Sequence, residues 1–337
     1  MADERIDYLD GWRGLSIFFV LQGHFLSIPW IDLGGFGVVM FFCLSGRLMA
    51  HLLFERRQPL GQFYRRRISR VFPAFAVFVV AMFLLAAFRG RSFSGMEFAS
   101  TILFLRTYFP APGIWGTGMP IGHLWSLNVE EHAYLLMSLL VLLRVFREGW
   151  VMLGAAALCV VIGFAYIKFG GPFWGQLGTE VAASFIFASA GYRLVCSRVR
   201  RLLPSWVPVA CLVLAAAISQ ASPVWWLSQA VNPFLMAVAV NHLSEAPGWL
   251  RAGLSVAMLR QVGLWSFSLY LWQQPFYAAR HAGTAWPLAL AGATCAGLAS
   301  FYLIERPFRT WLNTHWQSST NRKIAETNSL EGERPQV

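Results

Sequence analysis

Apolar residues come in long runs along the chain, divided by short polar breaks that carry most of the arginines. Runs of about 17–20 apolar residues suffice to cross a bilayer. Stretches near that length fall at 12–29, 36–54, 71–88, 98–109, 124–143, 149–167, 177–195, 205–221, 224–242, 262–279 and 286–304. The piece at 98–109 is too short and runs into PAPGIWGTGMPIG, so it reads as interfacial or re-entrant. Ten spans remain, an even number that puts both termini on one side. The pattern predicts an all-α integral membrane protein, a bundle of about ten transmembrane helices.

The polar breaks give the orientation. With the N-terminus in the cytoplasm, Arg47 lies within a span and Arg89, Arg91, Arg106, Lys168 and Arg280 fall outside. The other 21 of the 27 basic residues, from Arg5 and Arg13 to Arg322, Lys323 and Arg334, fall inside. That asymmetry is the positive-inside signal and predicts cytoplasmic termini. Residues 1–316 form the expected membrane domain. The polar tail 317–337, poor in aromatics, is expected to be disordered in the cytoplasm.

Composition agrees. The 337 residues are 57% hydrophobic and 13% charged, with mean hydropathy +0.52, against about 25% charged in soluble domains. The net charge of +11 is spread in loop clusters, so no nucleic-acid partner is expected and membrane lipids are the natural surroundings. The N-terminus lacks a basic region and a small-residue cleavage site, so no removable signal peptide is expected. The cysteines are scattered singly, which predicts neither a disulfide framework nor a metal site.

Candidate chemistry begins at 5–29, RIDYLDGWRGLSIFFVLQGHFLSIP. Arg13 and His24 are three helical turns plus about 20° apart, on one face and roughly 16 Å apart along the axis. A histidine that deep in a lipid-spanning segment is a functional candidate, against the alternative of a packing hydrogen bond. In FYRRRISRVFP, Arg67 and Arg70 are helix neighbours with Arg65 and Arg66 beside them, interleaved with Phe63, Tyr64, Ile68, Val71 and Phe72. This predicts an amphipathic interfacial helix whose arginine forks suit a phosphorylated cosubstrate, with anionic lipid headgroups as the competing ligand. Arg56 and Arg57 read as ordinary topogenic charges.

In GHLWSLNVEEHAYLL, Glu130 and Glu131 point about 100° apart on a helix, so they form no dyad. One is expected inside the bundle and the other to cap or pair elsewhere. His123 and His132 flank them without the two-histidine spacing of a zincin. There is no GxSxG elbow, and no phosphate loop at Gly34, Gly35 and Gly37. The Gly- and Pro-rich stretch 89–122 is the expected outer lip for a bulky acceptor.

Six motifs occur in order over residues 5–309: LDGWRG with its following histidine, FGVVMFFCLSGRLM, FYRRRISRVFPAF, HLWSLNVEEHAYLL, FSLYLWQQPF and IERPFR. Together they resemble the acyltransferase-3 family of integral-membrane O-acyltransferases. The resemblance implies ten spans, an inner N-terminus and residence in a bacterial cytoplasmic membrane. It also implies acetyl-CoA or another acyl-CoA as cosubstrate, and a hydroxyl of a polysaccharide, glycolipid or lipid-linked sugar as acceptor. Arg13 and His24 match the family's arginine–histidine pair, Arg67 and Arg70 its paired basic motif, and Glu130 and Glu131 its carboxylates. Two positions depart from the pattern. Arg47 stands where the family is usually apolar and is expected to add a cosubstrate contact. Gln273 stands where many members have a histidine. Some members carry a fused extracytoplasmic domain, so this membrane unit is expected to act alone or with glycan-assembly partners.

The expected chemistry puts coenzyme A's phosphates at Arg13, Arg66, Arg67 and Arg70. His24 then acts as general base or as an acyl-imidazole, oriented by Glu130 or Glu131. The rival readings are a transporter or flippase using the intramembrane His and Glu as a proton relay, and a structural subunit of a glycan-assembly complex.

Overall fold

The computed structural model describes residues 6–26, 28, 30–111, 113–169, 177–196, 203–220 and 225–316. The tail from 317, Arg5, and the loop arginines Arg198, Arg200 and Arg201 lie outside them. The described residues are helical, with thirteen α-helices and no strand. In chain order these are α1 (Asp7–Phe25), α2 (Gly34–Ala50), α3 (Leu60–Phe88), α4 (Gly95–Ile102), α5 (Trp125–Leu142), α6 (Glu148–Lys168) and α7 (Thr179–Ala182). They continue as α8 (Ser184–Val195), α9 (Val207–Gln220), α10 (Trp225–Asn241), α11 (Gly248–Leu254), α12 (Ala257–His281) and α13 (Trp286–Ser300). Two π-helical turns extend α2 and α13, at His51–Glu55 and Phe301–Glu305.

Every apolar run finds a helix, with three differences. The stretch 98–109 contributes to α4, eight residues or about 12 Å closed by a capping box between Ser94 and Glu97. The run 177–195 is broken into α7 and α8. The basic segment before residue 71 is no separate interfacial helix. It is the first part of α3, one continuous helix of 29 residues, about 44 Å long against a hydrocarbon core of about 30 Å. The surplus length lets the arginine-bearing turns lie at and beyond the lipid boundary.

Among the described residues, four helices are long and apolar enough to cross a membrane: Gly34–Glu55, Leu60–Phe88, Glu148–Lys168 and Trp286–Trp316. The other apolar runs miss that standard for two reasons. Helices α8, α9 and α10 are short, while α1, α5 and α12 interrupt their apolar runs with Asp, Arg, His, Glu and Gln side chains.

Helix α1 packs between α2 and α12, with α13 behind α12; α2 leans on α8, which meets α6 and α10. Close approach is set by glycine. A Cβ on Gly263 of α12 would sit 1.9 Å from the Asp10 carbonyl oxygen of α1, and one on Gly11 would sit 1.6 Å from that of Leu254. Lipid gives little hydrophobic drive between helices, so such small-residue contacts carry the packing. Trp12, fully buried, ties α1 to α2 through its indole N–H and the Met40 carbonyl at 3.0 Å. Leu135, Leu139, Leu158 and Val161 face outward on α5 and α6, as lipid contact requires.

Candidate active site

A cavity of about 240 Å³ lies among α1, α2, α3, α5 and α12. Along α2 its wall runs from Val38 to Leu52, about 21 Å of helix rise. Arg13, Arg66, Arg67 and Arg70 stand on it with Glu130 and Tyr134, while Phe41, Phe42, Met49, Phe63 and Phe267 make the wall largely apolar. Ser126 and Tyr270 also line it, with their hydroxyls hydrogen-bonded to one another. Four of the five arginines expected at a cosubstrate site are therefore brought together from two helices far apart in sequence.

The fifth is not. Arg47 is buried behind α2, and its guanidinium donates to the Val240 carbonyl of α10. Its expected cosubstrate contact is absent because α2 turns that face toward α8 and α10. The burial is met by a carbonyl acceptor that no spacing in the sequence reveals.

Arg67 has a different task from its neighbours. Its guanidinium contacts Glu131 at 2.7 and 2.8 Å and Glu130 at 3.5 Å, and lies 3.7 Å over the Tyr134 ring. Glu130 also accepts from the Ser45 and Tyr134 hydroxyls. Both carboxylates thus converge on one cation, where the sequence suggested that only one would point inward. The long planar fork of arginine bridges the 100° between them. Arg67 thereby fixes α3 to α5, while Arg66 and Arg70 line the cavity beside it. Arg13, paired with Asp10 at 3.0 Å, adds positive charge on the α1 side.

His24 lies outside this carboxylate cluster. Its Nδ1 meets Gln273 Oε1 at 2.6 Å, and the Gln273 amide nitrogen donates to Gln274 Oε1 at 3.2 Å. An amide oxygen only accepts, so Nδ1 carries the proton and Nε2 presents its lone pair. Tyr277 stacks on the imidazole at 4.3 Å, and Arg280 donates to the His24 carbonyl. The expectation that Glu130 or Glu131 orients His24 is therefore corrected. The carboxylates are held by Arg67, and the orienting group comes from α12. Tyr270 lines the cavity and Gln273 lies one turn further along α12, about 4.5 Å of rise.

The family model for the acyltransferase domain matches residues 6–311. The chain belongs to the acyltransferase-3 family. It is 27% identical over 311 residues to the peptidoglycan O-acetyltransferase OatA of Listeria monocytogenes, covering 79% of this chain and 48% of that protein. It is 26% identical over 352 residues to YrhL of Bacillus subtilis, covering 90% and 54%. The match to the O-acetyltransferase OatA of Staphylococcus aureus is 30% over 156 residues, covering 41% and 25%. The chain spans about half the length, or less, of the curated relatives it matches. No solved structure matches it.

Within this acyltransferase-3 chain, sequence reasoning missed Gln273, Tyr277, Ser45 and Tyr134 as site residues. Gln273 carried a signal, as the departure from the family's histidine, and Tyr134, which bonds Glu130, stands four residues after it on α5; Ser45 and Tyr277 show themselves only through contacts between helices. Gln22 was also missed. Its side chain bonds the Ile31 carbonyl at 2.9 Å and the Leu33 amide at 3.0 Å, fixing the turn beyond His24. In the expected outer lip, Arg106 is buried in a 3.1 Å pair with Glu97, and Tyr108 donates to Glu180 at 2.6 Å. His132, on the face of α5 away from Glu130, meets the Thr179 hydroxyl at 2.8 Å. Among the described residues no group of three His, Cys, Asp or Glu side chains is arranged to hold a metal ion.

Proposed function

We propose that this protein is a membrane O-acetyltransferase that draws acetyl-coenzyme A from the cytoplasm and passes the acetyl group to a carbohydrate hydroxyl on the outer side. In this reading residues 1–316 form a ten-span unit in a bacterial inner membrane, with both termini and the polar tail in the cytoplasm. The supporting observation is the arginine-walled cavity whose lining on α12 stops one turn short of the Gln273–His24 pair. At about 240 Å³ it is smaller than sites for drug-sized ligands. It suits a slender arm with a small acyl group, while the nucleotide phosphates stay at the mouth with Arg66 and Arg70. The relatives named for peptidoglycan O-acetyl transfer make a cell-envelope glycan, alone or within a glycan-assembly complex, the favoured acceptor.

The chemistry follows from His24 with Nδ1–H anchored on Gln273. The free Nε2 takes the proton of an acceptor hydroxyl as its oxygen bonds to the thioester carbon. The tetrahedral intermediate collapses, the carbon–sulfur bond breaks, and His24 returns the proton to the departing thiolate. An O-acetyl ester and coenzyme A result. Tyr277 and the Gln273 amide keep the ring oriented throughout. The experiment is turnover of labelled acetyl-coenzyme A by the protein in lipid nanodiscs, with peptidoglycan fragments as acceptor. Wild type is expected to transfer label, and His24→Ala to fall by ~10²–10⁴-fold while still binding coenzyme A. Solute or proton flux without transfer would favour the transporter reading instead.

A further inference from the structure

We propose that His123 is a second catalytic imidazole of the transfer centre, whose ring N–H holds the donor's acyl oxygen while His24 takes the acceptor's proton. The proposal rests on the donor path argued above. His123 sits on the 3₁₀ turn Gly122–Leu124 that leads into α5, is 5% exposed, and makes no hydrogen bond of good geometry at either ring nitrogen, where only the Leu271 backbone approaches. A polar ring buried without partners is costly, and native proteins keep such groups where something else makes use of them. An apolar ring would fill the same space without that cost.

The residue is held firmly. Its carbonyl lies 3.0 Å from the Tyr270 hydroxyl and 3.1 Å from the Ser126 hydroxyl, both on the cavity lining; one of the two donates to it and the other to its neighbouring hydroxyl. The imidazole centroid lies 5.2 Å from the Tyr270 ring and 5.4 Å from the Phe78 ring, edge-on to the latter. Tyr270 stands one turn of α12 before Gln273, which holds His24. The unsatisfied ring therefore packs against a residue of the cavity lining, Tyr270, one helical turn from the Gln273–His24 pair.

A neutral imidazole offers one N–H donor and one lone pair. Aimed at a thioester carbonyl, the N–H bonds the oxygen weakly at first and more strongly as negative charge gathers on it during attack. When the carbon–sulfur bond breaks, the carbonyl re-forms and His123 is left neutral, as it began. The proton passes only from acceptor to His24 to thiolate. A fixed donor in a dry site stabilises the oxyanion without reorganising, which is the condition under which such donors contribute most.

The test compares two probes on the full chain in nanodiscs. One is the dethia ketone analogue of acetyl-coenzyme A, whose carbonyl occupies the thioester position. The other is S-ethyl-coenzyme A, which lacks a carbonyl. Wild type is expected to prefer the ketone by about tenfold or more. His123→Phe should erase that preference, keep its affinity for S-ethyl-coenzyme A and its melting temperature, and lower acetyl-coenzyme A turnover by ~10²–10³-fold. His123→Gln, which keeps an N–H, should retain part of both. A His123→Phe protein that still prefers the ketone and turns over normally overturns the proposal. So does one that loses S-ethyl-coenzyme A affinity and thermal stability together, since that marks a structural role. A wild type that binds neither probe overturns the donor path itself.

Discussion

At the scale of single residues, the account depends on who holds whom. Gln273 holds His24, so Gln273→Leu should cut turnover about 10–100-fold with little change in coenzyme A affinity. Gln273→Glu, which keeps the acceptor, should stay nearer wild type. Steady-state kinetics of the two variants check this, and equal losses would remove Gln273 from the ring's orientation. Arg67 and Arg70 should separate likewise. Arg67→Ala strands two carboxylates that are 20% and 17% exposed, and should cost about 3–5 kcal/mol of stability. Arg70→Ala should leave melting nearly unchanged and weaken coenzyme A binding instead. Calorimetry and direct binding on both proteins check the split. The shared face of Arg13 and His24 was legible because it lies within one helix, where spacing determines direction. The partners of Glu131, Arg47 and His24, and the Ser45 and Arg67 partners of Glu130, were not, because each comes from a helix remote in sequence.

At the scale of elements, the site sits on the helices least suited to lipid. Helices α1, α5 and α12 fall short of the apolar standard because their buried faces carry His24, Glu130 with Glu131, and Gln273. Their polar groups are met by one another, as burial in a membrane demands. Glycine contacts set the register. Gly263→Ala forces a methyl group onto the α1 backbone, and should destabilise by roughly 1–3 kcal/mol and lower activity by shifting Gln273 against His24. Gly154→Ala in α6 meets nothing within 4 Å and should be neutral or stabilising by up to ~1 kcal/mol. Thermal melting of both variants tests the contrast. Runs of apolar residues revealed nearly every helix, since length and composition are local properties. The break between α7 and α8 and the continuity of α3 through its arginines depend on packing and were hidden.

At the scale of the whole molecule, the proposed function gives the site two approaches, the arginine-walled cavity and the turn beyond His24, that meet near Tyr270 and Gln273. Coenzyme A is too polar to cross lipid, so under the proposed function only the acetyl group changes sides. The family was legible because its motifs are spread over nearly the whole chain in fixed order. The acceptor was not, because no sequence motif specifies a sugar. The most direct test uses sealed proteoliposomes of uniform orientation, with labelled acetyl-coenzyme A and peptidoglycan fragments confined to chosen sides. The account predicts labelled fragments when the donor is on the Arg66–Arg70 side and the fragments are on the opposite side. Labelling only when donor and fragments share one side would contradict it.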